Sequence, residues 1–187
     1  LSPEKIECLR MQIKEWLADG IIRHASSPWA FPALMIPKKG AEPGTSNAYR
    51  TVIDFRKLND RLEDDSWPIV NVEDVFTFLA GKRYRSGLDL RWGYHCVSLS
   101  DEPVILGKDQ EGQVVRAPYS SSDVVTFSSP LGCYSYRRIP LGVKPAGAFF
   151  CRQLSADLDE FRFVDLVDYV DDVNLAHHDK VEHIEAI

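Results

Sequence analysis

The chain has 187 residues, of which 44% are hydrophobic and 27% charged, and its net charge is −6. That length supports one sizeable core or two subdomains; no run approaches the 18 or more apolar residues of a membrane span, and the opening "LSPEKIECLR" lacks the basic-then-apolar order of a signal peptide. The acidic balance argues against a generic polyphosphate binder, which usually shows a basic face, although residues 50–61 carry a local basic group of Arg50, Arg56, Lys57 and Arg61.

Ser2 followed by Pro3 is a helix start, and Ile6, Leu9, Ile13, Trp16 and Leu17 recur at helical spacing until Gly20, which predicts an amphipathic helix over residues 3–19. "SSPWAFPALMIPKKG" holds three prolines in a hydrophobic stretch, so it reads as extended chain ending in an edge strand. "YRTVIDF" returns after the loop "GAEPGTSNA", making residues 33–55 a hairpin with a long, basic-rooted tip. Asn71 caps a helix that runs to Leu79 and is closed by Gly81. "YRSGLDLRWGYHCVSL" reads as a strand interrupted at residues 91–93, and residues 101–123 as a polar loop or hairpin with turns at "DQEG" and "SSSD".

"VVTFSS" and "CYSYRRI" are strands, and "KPAGAFFCRQLSADLDEF" opens on Pro145 and continues as a helix to about Phe161. "RFVDLVDYV" and "VNLAHH" are strands around an aspartate pair, and "KVEHIEAI" starts a last helix. Helices mixed with hairpins indicate an α+β fold rather than alternating βαβ units. Cys8, Cys96, Cys133 and Cys151 stand far apart without a CxxC pair, which suggests neither a disulfide framework nor a zinc site and points to a reducing compartment. His177, His178 and His183 fit no common zinc spacing and read as a solvated helix start; the acids in "DLDE" at 157–160 read as an exposed helix face.

The stretch "LVDYVDDVNLA" at 166–176 sets Asp171 beside Asp172 between two apolar runs, at hairpin-loop length. Asp suits turns in general, but the flanks Tyr169, Val170, Val173 and Leu175 are expected to draw this hairpin into the core. Two carboxylates about 4 Å apart at an effective dielectric near 20 repel by roughly 4 kcal/mol, so the pair needs a proton, a cation or a metal. An oxygen-only cluster suits magnesium. A third carboxylate would let two ions sit about 3.5–4 Å apart, and Asp89, a lone acid between Leu88 and Leu90 on an expected core strand, is the best candidate.

Taken together and in this order, "SPWAFPALMIPKK", "YRTVIDFRKLN", "GLDLRWGYH", "RRIPLGVKPAGAFF" and "YVDD" resemble the fingers and palm of reverse transcriptases from gypsy-type LTR retrotransposons and retroviruses. The resemblance covers nearly the whole chain. It implies a right-hand polymerase with a ferredoxin-like palm sheet that extends a primer 3′-hydroxyl with dNTPs on an RNA or DNA template. Residues 1–82 would be mainly fingers and 83–187 mainly palm, with an insertion at 101–123 and without the thumb or RNase H domain. Two Mg²⁺ ions, replaceable by Mn²⁺, would be held by Asp89, Asp171 and Asp172, with Asp172 the less direct ligand, and by the backbone carbonyl of Leu90.

By the same resemblance Tyr94 lies beneath the sugar and excludes a ribose 2′-hydroxyl. Lys38, Lys39 and Arg50 match residues that grip the triphosphate, where arginine supplies a fork-like contact and lysine a point charge. Leu141 and Gly142 match the nucleotide pocket, and Arg56 and Asn59 match template contacts, as does Lys144 beside the pocket loop. Departures from the pattern are Leu141 in place of glutamine or phenylalanine, Cys96 and Cys151 in place of glutamine, Trp92 in place of a small residue, and Gly147 in place of proline. The implied setting is intracellular, cytoplasmic or nuclear or within a retroelement particle, with no membrane partner. Two alternatives remain at this point: a decayed or domesticated palm-fold remnant that binds nucleic acid or a protein without catalysis, and a viral RNA-dependent RNA polymerase, against which Tyr94 and "FRKLN" weigh.

Overall fold

A computed structural model of the chain describes residues 1–41, 45, 48–90, 93–108 and 113–187, with the backbone alone at 105–108 and 114–116. In chain order the first elements are α1 (Pro3–Ala18), β1 (Ile22–His24), β2 (Phe31–Pro37), β3 (Tyr49–Ile53), α2 (Arg56–Asn59) and α3 (Val72–Leu79). Then follow β4 (Tyr84–Asp89), α4 (Gly93–Cys96), β5 (Pro103–Lys108), β6 (Val114–Ser120), α5 (Ser121–Val124), β7 (Thr126–Ser129) and β8 (Gly132–Tyr136). The chain closes with α6 (Ala146–Asp157), β9 (Leu166–Tyr169), β10 (Asp172–His177) and α7 (Lys180–Glu185).

These elements form two compact units, each built from two stretches of chain: Leu1–Leu62 with His95–Val143, and Glu63–Tyr94 with Lys144–Ile187. The expected division at residue 82 is a division along the sequence, whereas compactness groups the chain discontinuously.

The first unit rests on a five-stranded sheet of order β1-β8-β7-β2-β3. Helix α1 begins as its sequence dictates: the Ser2 hydroxyl accepts a hydrogen bond from the Lys5 amide at 3.4 Å, and Pro3 occupies the first turn. Its Leu9 and Ile13 are buried, and the Gln12 side chain donates to the Tyr49 carbonyl at 2.7 Å, tying the helix to β3. Phe127 and Leu9 are fully buried in a core that also holds Phe31, Phe55 and Tyr136; burying each such side chain is worth about 1.5–3 kcal/mol.

Strand β2 is not the edge its prolines suggest, because β3 is the outer strand and β7 runs parallel to β2. That pairing reaches only Phe31 and Pro32, so beyond them one side of β2 is open, which is how Pro37 is tolerated. The three-residue β1 is too short to leave a periodic signal in the sequence. Strands β5 and β6 form the hairpin expected for 101–123, with two register shifts; the "DQEG" turn lies outside the described residues. At α5 Ser120 and Asp123 form a reciprocal capping box. Burial acts to raise the Asp123 carboxyl, but hydrogen bonds from Ser120 and Arg23 outweigh it and hold it low.

The second unit is a three-stranded antiparallel sheet of order β4-β10-β9, with α3, α6 and α7. Leu166, Val173 and Leu175 are its buried cluster, and Leu90, Leu154 and Leu158 pack against them. Two expectations are corrected. Strand β4 stops at Asp89, and after residues 91–92, which lie outside the described ones, the chain turns into α4 instead of resuming as a strand. Helix α6 ends at Asp157 because Leu158 leaves helical geometry at φ −104°, and tighter turns follow, with the Phe161 amide donating to the Leu158 carbonyl at 2.9 Å.

Candidate functional site

The two-residue loop between β9 and β10 consists of Val170 and Asp171, closed by the pairing of Tyr169 with Asp172. A right-twisted hairpin of this length requires positive φ in its loop, and Val170 supplies it at +60° despite its branched side chain. Such a residue stores about 1–3 kcal/mol of strain. The strain fixes the direction in which the adjacent aspartates leave the turn. On its other side β10 pairs with β4 in a register that sets Asp172 opposite Asp89. Asp89, Asp171 and Asp172 therefore share one end of one sheet, as expected.

Their surroundings correct the burial argument. All three are exposed, so their proximity does not rest on a dry interior. The hairpin's apolar residues Val173 and Leu175 are buried, but the alternation of strand side chains leaves the tip in solvent. Among the described residues no three acidic, His or Cys side chains are gathered closely enough to hold an ion as they stand. The donor set fits a hard, oxygen-preferring divalent cation in kind. Ion binding there would draw the carboxylates together by rotation about their side-chain bonds. The Leu90 carbonyl already accepts the Gly93 amide at 3.1 Å and keeps one lone pair for a further partner.

Tyr94 stands beside this end of the sheet. Its ring stacks on Phe150 of α6 with centroids 4.9 Å apart and planes 23° apart. Burial, with Cys151 and the Asp171 charge, pushes the Tyr94 hydroxyl above its ordinary value, so it stays a neutral donor. Burial likewise pushes up the Cys151 thiol, with Asp168 and Asp171 contributing. Gly93 makes the arrangement sterically feasible: a Cβ there would lie 3.0 Å from the Phe150 ring. Phe150 and the reason for Gly93 were missed in the sequence because neither residue carries a chemical signature; only their contact reveals the role. Lys144, also in this unit, is paired with Asp64 at 2.8 Å.

The remaining candidates belong to the first unit. Lys38 and Lys39 follow β2 and are exposed, as is Arg50, opposite Ile36 on β3. Part of the hairpin tip, residues 42–44 and 46–47, lies outside the described residues. Arg56 forks onto Asp54 with contacts of 2.8 and 2.6 Å, and the Arg56 side chain and amide hold the Asp54 carboxyl down to about 2. The Asn59 amide group donates to the Gly142 carbonyl at 2.8 Å, fixing a loop in which Gly142 has φ +93° and Leu141 is exposed.

The histidine expectation is also corrected. His177 and His183 are buried, not solvated, and only His178 is exposed. His177 ends β10 and His183 lies on α7, so their contact depends on how α7 packs back and is not read from spacing.

Comparison with known proteins agrees with this geometry. Residues 36–187 match the family model described as reverse transcriptase (RNA-dependent DNA polymerase). The chain is 30% identical over 176 residues to the retrovirus-related Pol polyprotein from transposon 297 of Drosophila melanogaster, and 31% identical over 176 residues to that from transposon gypsy of the same species. It covers 94% of itself but only 15% of each of those polyproteins. The fold is similar to that of the prototype foamy virus protease-reverse transcriptase, with a TM-score of 0.69 at 20% identity over 100% of this chain and 22% of that one. A foamy viral protease-reverse transcriptase solved with dsDNA gives a TM-score of 0.71 at 19% identity over 99% of this chain and 33% of that one. The paired aspartates on adjoining strands, the tyrosine beside them and the family match across most of the chain together place this chain in the reverse transcriptase family.

Proposed function

We propose that the chain is the fingers and palm portion of an RNA-directed DNA polymerase that adds dNTPs to a primer 3′-hydroxyl. The observation that carries this reading is the register of β4 against β10, which pairs Asp89 with Asp172 and leaves Asp171 next in line at the strained turn. The family implies dependence on a divalent metal. Two Mg²⁺ ions, replaceable by Mn²⁺, would be held by Asp89, Asp171 and Asp172 with the Leu90 carbonyl. Bound there, they supply charge for the attacking hydroxyl and the leaving phosphate.

The protein's own part is binding and exclusion. The carboxylates sit in solvent, where a hydrated cation and its triphosphate have access without a buried approach. Tyr94, braced by Phe150, offers a flat ring to the sugar. Lys38, Lys39 and Arg50 are assigned to the triphosphate, Leu141 and Gly142 to the nucleotide pocket, and Arg56, Asn59 and Lys144 to the template. These assignments rest on the motifs; Arg56 and Lys144 would exchange or share their present carboxylate partners. An RNA or DNA template with its primer is the proposed partner, in line with foamy viral relatives solved with dsDNA and with an RNA/DNA hybrid. The polyprotein relatives support an intracellular setting, and no helix among the described residues is long and apolar enough to cross a membrane.

Primer extension on an RNA template with dNTPs and Mg²⁺ tests the proposal. Asp89→Asn and Asp171→Asn should each lower incorporation at least about a hundredfold, the scale of losing one transition-state charge stabiliser. A second reading, a palm-fold remnant that binds nucleic acid without catalysis, draws on the three carboxylates' lack of convergence. Template binding by a folded but inactive chain, unchanged in both variants, would favour it.

A further inference from the structure

A partly buried polar chain in the second unit plays no part in the proposed chemistry. The Asp165 carboxylate lies 3.1 Å from His177 Nε2, His177 Nδ1 lies 3.0 Å from His183 Nδ1, and His183 Nε2 lies 2.8 Å from the Ser86 hydroxyl. The four residues come from the segment before β9, from β10, from α7 and from β4. Both imidazoles are buried, and their ring centroids are 5.2 Å apart.

Donor and acceptor counting fixes the protons. An ionised Asp165 only accepts, so His177 carries its proton on Nε2 and presents a bare Nδ1. His183 must then donate from Nδ1, which leaves its Nε2 to accept from Ser86. Every ring nitrogen is satisfied when both histidines are neutral. One added proton reverses the hydrogen bonds: His177 Nδ1 donates to His183, and His183 Nε2 donates to the Ser86 oxygen. A second proton on the rings has nowhere to go, because two N–H bonds would point at each other across 3.0 Å.

We propose that Asp165, His177, His183 and Ser86 form a proton-sensitive latch that holds α7 on the β4-β10-β9 sheet, closed with at most one excess proton and opened by the second. The charged and titratable groups around it do not relieve that limit. Tyr84 on β4 meets the His183 ring at 6.3 Å. Lys82 before β4, His178 after β10, and Glu182 and Glu185 on α7 border the open side next to His177, and none of them shares a hydrogen bond with either ring. Arg83 uses its backbone amide on the His177 carbonyl. Asp179 is occupied as the α7 cap, accepting from the Val181 and Glu182 amides, and the Asp168 carboxylate is engaged by Arg162. From α6 the apolar Leu154 and Leu158 pack on the neighbouring core of Leu166, Val173 and Leu175 and bring no charge.

The released state can hold a proton on each ring, one more than the closed state. The opening equilibrium of α7 should then rise about tenfold for each pH unit once acidification enters the ordinary imidazole range. Amide hydrogen exchange of residues 181–186 in the 187-residue chain reads this, with the α1 amides as an internal reference for global opening. Between pH 7.5 and 5 the protection of α7 should fall relative to α1, and in His177→Asn the slope should vanish to within twofold. A flat profile in the native chain, or an unchanged slope in the variant, overturns the latch. Ring ¹⁵N shifts of the native protein provide a test that needs no variant: at pH 7.5 His177 must be the Nε2–H and His183 the Nδ1–H tautomer. The reverse tautomers would overturn it as well.

Discussion

At the scale of single residues, the chemistry depends on where a few charges are pinned. Asp89, Asp171 and Asp172 are brought to one end of the sheet by strand register and by one strained turn, and their exposure corrects the expectation of a buried pair. The pair itself was legible because adjacent acids between apolar runs are unusual. Its exposure was not, because a hairpin's flanks and its tip can differ completely in solvent access. Asp54 is a second pinned charge, held down to about 2 chiefly by hydrogen bonds from the Arg56 side chain. A depressed carboxyl contributes stability that is complete above its ordinary value and lost as pH falls through the lowered one. In Arg56→Ala, carboxyl NMR titration should find Asp54 raised toward the ordinary carboxylate value, with the retained residue-56 amide still holding it somewhat below; an unmoved titration would show that the Arg56 side chain is not its partner.

At the scale of elements, helix α1 was readable from Ser2, Pro3 and its apolar period, α3 from its position between Asn71 and Gly81 although the Asn71 side chain makes no capping bond, and the start but not the end of α6 from Pro145. Strand β1 and the internal position of β2 were not, since sheet order is set by partners distant in sequence. The same holds for the support of Tyr94, which depends on α6 approaching α4 at a glycine. Gly93→Ala should destabilise the protein by about 1–3 kcal/mol, the usual cost of overpacking, because the new methyl meets the buried Phe150 ring. Thermal denaturation checks this, and near-ultraviolet circular dichroism should report a disturbed Tyr94–Phe150 stack. A variant as stable as the native chain would mean that the close contact is not maintained.

At the scale of the whole molecule, composition allowed one core or two, and the described residues form two of unequal size. The first unit buries an aromatic cluster around Phe127, whereas the second depends on Leu166, Val173 and Leu175 with partly buried neighbours. Local stability follows buried apolar contact. The amides of β7 and β8 should therefore exchange at least about tenfold more slowly than those of β9 and β10. Equal protection would mean that the sheet carrying the aspartates draws on stabilisation beyond its own small core.

Asp89, Asp171 and Asp172 are proposed to act together on a divalent ion, and paramagnetic broadening by Mn²⁺ tests this without requiring turnover. Substoichiometric Mn²⁺ added to the isotope-labelled native chain should broaden amide resonances at Asp89, Leu90 and residues 170–172 first. Asp89→Asn and Asp171→Asn should each abolish that broadening, though they lie on different strands. Broadening centred elsewhere, or persisting when either aspartate is neutralised, would contradict the account.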